Sequence, residues 1–212
     1  MAAVFPGRPA HKPAGSSVIR RYGVRVRALI IVDVQKDFCE GGALPVSGAH
    51  ALARSISDYL AADPGYHHIV ATQDFHIDPG SHFADDPDYV SSWPPHCRAG
   101  SAGADFAPNL DTSKIETVFR KGAYGAGYSG FEGVDENGTS LLDWLRQHEV
   151  DEVDVAGLAT DHCVRHTAHD AARAGLGTRV LLDLTAGVSA DMISQALHEM
   201  RTASIELIGK RP

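Results

Sequence analysis

The chain has 212 residues, of which 43% are hydrophobic and 22% are charged, which is typical of a globular protein with enough length for one compact domain. Its formal net charge of −8 argues against a nucleic-acid partner, because such a surface needs basic residues to neutralise phosphates. No apolar run approaches the ~20 residues of a membrane-spanning helix, and residues 1–26 lack the apolar centre of a secretory signal, so we expect a cytoplasmic location. Three irregularly spaced cysteines favour reduced thiols over a disulfide framework.

Strand-like and helix-like segments alternate along most of the chain. Residues 1–26 are rich in Pro, Gly and Ser without periodicity, so we expect a disordered extension there, followed by a single domain over residues 27–212. The apolar, β-branched run 28–32 is typical of a strand buried on both faces. By the same patterns we predict the further elements in chain order: helix 49–61, strand 68–72, strand 115–119, helix 139–148, strand 152–155, helix 162–174, strand 179–184, helix 190–202 and strand 204–208.

The order of these elements predicts an α/β fold. Six strands separated by helices indicate a three-layer α/β/α sandwich with a six-stranded, mainly parallel sheet. Ligands of such sheets bind outside the carboxyl ends of the strands. Asp33, Asp74, Lys121 and the segment 158–163 each follow a predicted strand, so we expect them at the same edge.

Cys163 is a candidate nucleophile, because it follows a strand and a Gly-containing bend at the start of a predicted helix. Helix-terminal amides there favour an anion, so we expect a stabilised thiolate and amides directed at a developing oxyanion. By position alone, a small buried residue at a strand–helix junction is an equally good interpretation. Asp33 could accept the thiol proton or cap a turn, and Lys121 could lower the pKa of the thiol or be a solvated lysine. Together the three residue types match what an activated thiol requires.

The long irregular stretch 74–113 contains a candidate metal site. Asp74 and His76 form an Asp-x-His pair whose side chains point to the same side of an extended segment, and His82 and His96 follow in the same loop. One carboxylate and three imidazoles suit Zn, Fe or Mn better than Ca or Mg. Any one of these histidines could be an ordinary surface residue, but four candidate ligands within one loop favour a metal.

A second histidine pattern is less convincing. His162, His166 and His169 have a helical spacing that can bind zinc, but no carboxylate or cysteine completes the set. We expect His166 and His169 on a solvated face and His162 in the pocket beside the nucleophile. Cys39 and Cys97 are interpreted as structural residues.

Three aromatic residues lie in irregular segments near these candidates: Phe38, Trp93 and Tyr128. Such residues either cover the core or sandwich a flat ring.

These segments resemble the nicotinamidase/pyrazinamidase family, within the isochorismatase-like cysteine hydrolases, and are close to actinobacterial nicotinamidases. The resemblance spans residues 27–208 and is carried by ALIIVDVQKDFCEGG, ATQDFHIDPGSHF, SSWPPHC, FRKGAY, YSGFEGVDENG, GLATDHCV and DLTAGVSAD. The ligand pattern D-x-H-x5-H-x13-H is specific, since many relatives in the wider superfamily have the triad without it.

The resemblance implies a role for each site residue. It implies a catalytic triad of Asp33, Lys121 and Cys163, and a cis peptide between Leu158 and Ala159 that directs the amides of Ala159 and Cys163 into an oxyanion hole. It further implies one divalent ion (Fe, Zn or Mn) on Asp74, His76, His82 and His96, and a substrate pocket formed by Phe38, Trp93, Tyr128, Leu158 and His162.

The implied reaction is hydrolysis of nicotinamide to nicotinate and ammonia through a cysteine thioester, in NAD salvage, with pyrazinamide as a side substrate. Asp33 would serve as the base and Lys121 would favour the thiolate. The metal would bind the pyridine nitrogen, directly or through coordinated water, or activate the hydrolytic water. We expect a monomer or small homo-oligomer with no nucleic-acid or membrane partner.

The sequence leaves two alternative activities open. One is a superfamily hydrolase that acts on ureido compounds, carbamoyl amides or isochorismate, against which the metal ligands argue. The other is a catalytically silent metal- or ligand-binding domain, against which the intact triad argues.

Overall fold

Six parallel strands form one sheet in the structure, a computed structural model that describes residues 25–210. The strands are β1 (Arg27–Val32), β2 (His68–Asp74), β3 (Thr117–Lys121), β4 (Glu152–Leu158), β5 (Gly177–Ala186) and β6 (Glu206–Ile208), in the spatial order β3-β2-β1-β4-β5-β6. Every neighbouring pair is parallel, which confirms the predicted fold class. The extension expected over residues 1–26 lies outside the described residues, apart from its last two.

Helices cover both faces of this sheet. They are α1 (Ala49–Ala61), α2 (Leu141–Gln147), α3 (Arg165–Arg173) and α4 (Ala190–Thr202). Alternate side chains of β1 point to opposite faces: Ile30 packs in the core cluster that contains α2, α3 and α4, whereas Ile31 packs in the cluster that contains α1. The predicted three layers are therefore confirmed.

Most predicted elements differ from the observed bounds by one to three residues at an end, and two of the differences have a clear physical reason. The third strand runs over Thr117–Lys121 instead of 115–119, and Ile115 packs against the α1-side core from the preceding loop. The helix predicted over 162–174 begins as a π-helical turn, Thr160–Val164, which continues directly into α3. A buried apolar residue just before a strand gives the same hydrophobic pattern as one inside the strand. The sequence pattern alone therefore could not show that Ile115 lies outside β3.

The site lies where the order of the strands reverses, between β1 and β4. Ligand sites of open parallel sheets are typically found at this position. Gly157 of β4 has φ of 114°, and a Cβ atom there would lie 2.1 Å from the carbonyl oxygen of Val32. A glycine therefore lets the end of β4 pack directly against the end of β1, next to Asp33.

None of the helices between residues 25 and 210 combines the length and the apolar character that crossing a bilayer requires.

Candidate active site

Three predicted catalytic side chains, from three strand ends, lie in contact. Asp33 follows β1, Lys121 ends β3, and Cys163 lies in the turn after β4. The Lys121 Nζ is 2.8 Å from Asp33 Oδ2 and donates a hydrogen bond to Cys163 Sγ at 3.6 Å. Cys163 Sγ lies within 4.8 Å of a carboxylate oxygen of Asp33. The structure therefore brings a thiol, a carboxylate and an ammonium group to one point.

The charges at this point are set by burial and by two carboxylates around one lysine. Burial opposes the charge of Lys121, but the carboxylates of Asp33 and Asp74 raise the pKa of Lys121 well above its ordinary value, so its amine stays protonated. Burial raises the pKa of Asp33, and the neighbouring Asp74 raises it further, against the opposing effect of Lys121. Asp33 is therefore a stronger base than an exposed aspartate.

The protonation of the Cys163 thiol differs from the stabilised thiolate that the sequence predicts. Burial raises the pKa of the Cys163 thiol well above its ordinary value, and the lowering effect of Lys121 does not compensate. The five-residue turn Thr160–Val164 is also π-helical, not the start of a regular α-helix. Cys163 is thus a thiol at rest, and to act as a nucleophile it would need a base that takes its proton.

Next to this cluster, the four predicted metal ligands are close together and buried. Candidate ligand atoms of His76, His82 and His96 all lie within 4.8 Å of one another. Asp74 Oδ2 is 3.7 Å from His76 Nε2 and 3.9 Å from His96 Nε2. The other oxygen, Asp74 Oδ1, pairs with Lys121, so one carboxylate joins the metal-ligand cluster to the catalytic cluster.

Hydrogen bonds to backbone carbonyls orient two of these imidazoles. His76 Nδ1 donates to the carbonyl of Gly122 at 2.6 Å, and His96 Nδ1 donates to the carbonyl of Pro94 at 2.7 Å. With Nδ1 engaged in this way, Nε2 is the ring atom left for a metal, which is the arrangement seen around metal-bound histidines. His76 Nε2 is buried without a hydrogen-bond partner. Burial lowers the pKa of His82 to about 4 and also lowers that of His96, so both rings are neutral at pH 7, the form that binds metals. The residues fit a divalent transition metal.

A small pocket connects the two clusters to the surface. It contains about 460 Å³ of free space, which includes open solvent at its mouth. All five predicted substrate-binding residues line it, and they are Phe38, Trp93, Tyr128, Leu158 and His162. The hydroxyl of Tyr128 accepts a hydrogen bond from Trp93 Nε1 at 2.9 Å, which fixes both rings. The predicted cis peptide bond joins Leu158 to Ala159.

Sequence reasoning missed several residues around the site. Thr72 donates a hydrogen bond to Asp33 Oδ1 at 2.6 Å, and the Gln35 side chain bonds both the amide and the carbonyl of Asp74 at 2.9 Å. Three apolar residues complete the pocket lining, and they are Leu44, Val46 and Val188. Thr72 and Gln35 lie near the ends of predicted strands. That position was the one feature of the sequence that could have indicated a place in the site.

Of the three histidines in and just before α3, one is less solvated than predicted. His162 lines the pocket as expected, but His166 is half-buried and stacks on Tyr128, with ring centroids 5.3 Å apart. His166 is therefore only partly solvated, because Tyr128 from a distant loop covers one face of its ring while the residue also lines a surface cleft. His169 is half-buried in a surface cleft between α3 and α4.

Comparisons with known proteins agree with this geometry. The Isochorismatase domain family matches residues 27–210. The nicotinamidase/pyrazinamidase of Mycobacterium tuberculosis is 73% identical over 183 residues, which are 86% of this chain and 98% of that protein. The nicotinamidase of Escherichia coli is 38% identical over 183 residues, covering 77% of this chain and 84% of that protein.

Solved structures show the same fold. PnC1 from L. infantum in complex with nicotinate superposes with a TM-score of 0.76 at 37% identity, covering 87% of this chain and 95% of that one. The pyrazinamidase of Pyrococcus horikoshii in complex with zinc has a TM-score of 0.74 at 34% identity, covering 87% of this chain and 99% of that one. The chain is therefore an α/β protein that belongs to the isochorismatase domain family.

Proposed function

We propose that this protein hydrolyses nicotinamide to nicotinate and ammonia in NAD salvage, and pyrazinamide to pyrazinoate as a side reaction. The observation that carries the proposal is the contact of Cys163, Asp33 and Lys121 at the inner end of a small aromatic pocket, beside four metal-ligand side chains. Relatives named as nicotinamidases, one of them 73% identical, support the choice of substrate.

The first half of the reaction transfers the acyl group to sulfur. The carboxylate of Asp33 takes the thiol proton of Cys163, and the raised pKa of Asp33 suits it to this role. The ammonium group of Lys121, 3.6 Å from Sγ, stabilises the sulfur anion as it forms. The sulfur attacks the carboxamide carbon, and the backbone amides of Ala159 and Cys163 stabilise the resulting oxyanion.

The second half releases both products. Asp33, now protonated, gives its proton to the departing nitrogen, so ammonia leaves and a nicotinoyl thioester on Cys163 remains. The regenerated carboxylate of Asp33 then deprotonates a water molecule, which attacks the thioester carbon. The thioester C–S bond breaks and Asp33 returns its proton to the sulfur of Cys163, which restores the thiol. The acid product loses its proton to solvent and leaves as nicotinate.

The ring is held by the pocket walls. Phe38, Trp93, Tyr128 and Leu158 pack around an aromatic ring, and His162 borders it. Asp74, His76, His82 and His96 would hold a divalent Fe, Zn or Mn ion. When bound, that ion would supply a Lewis acid able to orient the pyridine nitrogen or to activate water.

The proposal extends to the whole chain. We infer a single amidase domain over residues 27–212 that acts in the cytoplasm as a monomer or small homo-oligomer, without a nucleic-acid or membrane partner. The net charge of −8 and the single sheet with one pocket at its switch point support this view.

Ammonia release tests the substrate and the nucleophile together. Purified protein is supplied in parallel with nicotinamide and with a carbamoyl amide; activity on the second alone would refute the substrate assignment. Cys163→Ala should abolish hydrolysis and retain stoichiometric metal, while Cys39→Ala, at another buried thiol, should keep the rate. Retention of the rate by Cys163→Ala would disprove the covalent mechanism.

A further inference from the structure

Asp161 is a buried carboxylate that the catalytic steps leave unused. It lies two residues before Cys163 and is 1% exposed. Its oxygens accept hydrogen bonds from the backbone amides of Val188, at 3.1 Å to each oxygen, and of Ser189, at 3.0 Å. A buried carboxylate is stable only when such partners replace its water, so these bonds tie the 187–189 loop firmly to the nucleophile turn.

The same loop begins helix α4. Ser189 is the N-cap residue of α4, and its own side chain makes no capping hydrogen bond. The Asp161 carboxylate accepts from the Ser189 amide and adds a second negative group at this helix N-terminus, beside Asp191 of the first turn. A Cβ atom at Gly187 would lie 2.6 Å from Ile193 and 2.9 Å from Asp161 Oδ1. The loop is therefore closely packed between Ile193 on one side and Asp161 on the other.

The fixed loop places Val188 at the mouth of the pocket. The Val188 side chain lines the pocket and is also 50% exposed, whereas Cys163 and His96 at the inner end are buried. Because Val188 has both a pocket surface and a solvent surface, its size and position limit the opening.

We propose that Val188 is a specificity-determining residue for substituents on the substrate ring, and that Asp161 is the positioning residue that holds it. This inference rests on the proposed function. A pyridine ring whose nitrogen and carboxamide both point inward has carbon 5 on its opposite edge, which then faces the mouth. A group on carbon 5 would meet Val188, so the wild-type enzyme should discriminate against 5-ethylnicotinamide.

Selectivity kinetics test the first part. The measured quantity is kcat/KM for 5-ethylnicotinamide divided by kcat/KM for nicotinamide. Val188→Ala should raise this ratio about tenfold, mainly through KM, since a steric change of one or two carbons in an apolar pocket is worth roughly 10–200-fold. The matched control is Val134→Ala, at a valine that is 43% exposed and outside the pocket, and it should leave the ratio unchanged. An unchanged ratio in Val188→Ala would overturn the inference.

A double-mutant cycle tests the second part. Asp161→Ala should raise the same ratio, and adding it to Val188→Ala should give less than the product of the two single effects, because both act at one place. The inference about Asp161 would be overturned by two results together. Asp161→Ala would lower kcat/KM equally for both substrates, and the double variant would show the full product of the two single effects. Asp161→Asn, which keeps one acceptor oxygen, serves in the same cycle if Asp161→Ala does not fold.

A binding measurement separates this inference from the proposed function. Calorimetry with 5-ethylnicotinate should show tighter binding to Val188→Ala than to the wild type, and equal affinities would count against the inference. A wild-type enzyme that fails to hydrolyse nicotinamide would instead overturn the proposed function. A wild type that is active on nicotinamide with identical ratios in all variants would overturn the inference alone.

Discussion

Replacing Lys121 with methionine should cost both stability and activity. The Lys121 side chain is fully buried, with its Nζ 2.8 Å from Asp33 and paired also with Asp74. Methionine keeps the apolar length but leaves two carboxylates in a buried site without their cation. Removing one partner of a buried ion pair typically costs about 3–5 kcal/mol, and we expect a loss of that size in the free energy of unfolding.

The loss of activity follows from the same charges. Lys121 lowers the pKa of both Asp33 and Cys163. Without it the pKa of Asp33 rises further and more of the carboxyl is protonated near neutral pH. Asp33 then cannot accept the thiol proton, and the sulfur anion loses its nearest cation. Ammonia release from nicotinamide should fall to background.

Urea unfolding at pH 7 with a fixed saturating concentration of divalent metal measures the stability. The double variant Lys121→Met/Asp33→Asn should be more stable than Lys121→Met alone, because one uncompensated carboxylate is gone, and it should stay inactive. The control is Lys36→Met, at a lysine whose side chain is 41% exposed and 2.9 Å from Asp105, and it should cost at most about 1 kcal/mol. A Lys121→Met variant within about 1 kcal/mol of the wild type, or additive losses in the double variant, would refute the reasoning.

Three further changes test other parts of the site. Thr72→Val removes the hydroxyl bonded to Asp33 and should cost about 1.5–3 kcal/mol of stability by urea unfolding, whereas Thr72→Ser keeps the donor; equal stabilities would contradict the importance of this bond. His96→Ala should lose the metal in elemental analysis, and chelation of the wild type followed by metal add-back should remove and restore hydrolysis; full activity after complete chelation would contradict a catalytic metal. Gly157→Ala should lower the free energy of unfolding by more than about 2 kcal/mol, because it combines a positive φ with a backbone clash. The control Gly138→Ala has a positive φ in open space and should cost about 1 kcal/mol. Similar losses in the two variants would contradict the close approach of β4 to β1.

Much of the fold could be predicted from local patterns. The apolar run of β1 and the stripe of α4, which includes Ile193, Leu197 and Met200, are buried as their periodicity indicated. Strand ends also predicted the edge at which Asp33, Asp74 and Lys121 meet, since the carboxyl ends of parallel strands lie together. The third strand was predicted two residues too early, because its pairing with β2 decides its boundaries. The π-helical turn before α3 was not predicted.

The pKa of Cys163 shows where local reasoning fails. A cysteine at the start of a helix is expected to ionise easily, but burial in this pocket raises the pKa of its thiol. The position of Cys163 in the chain gives no measure of how much water the surrounding elements exclude. The same limit applies to His166, whose ring is covered by Tyr128 from a loop 38 residues earlier.

The amino-acid sequence alone was enough to predict the chemical groups and the edge at which they meet, because residue types and the succession of strands and helices can be read from local periodicity and spacing. The tertiary structure decided how those groups influence one another. Lys121 is shared between Asp33 and Asp74, and Asp161 binds a loop more than 25 residues away, so these couplings depend on distances of a few ångströms between separate elements. Coulomb and hydrogen-bond energies fall steeply with such distances, and no local pattern in the chain encodes them.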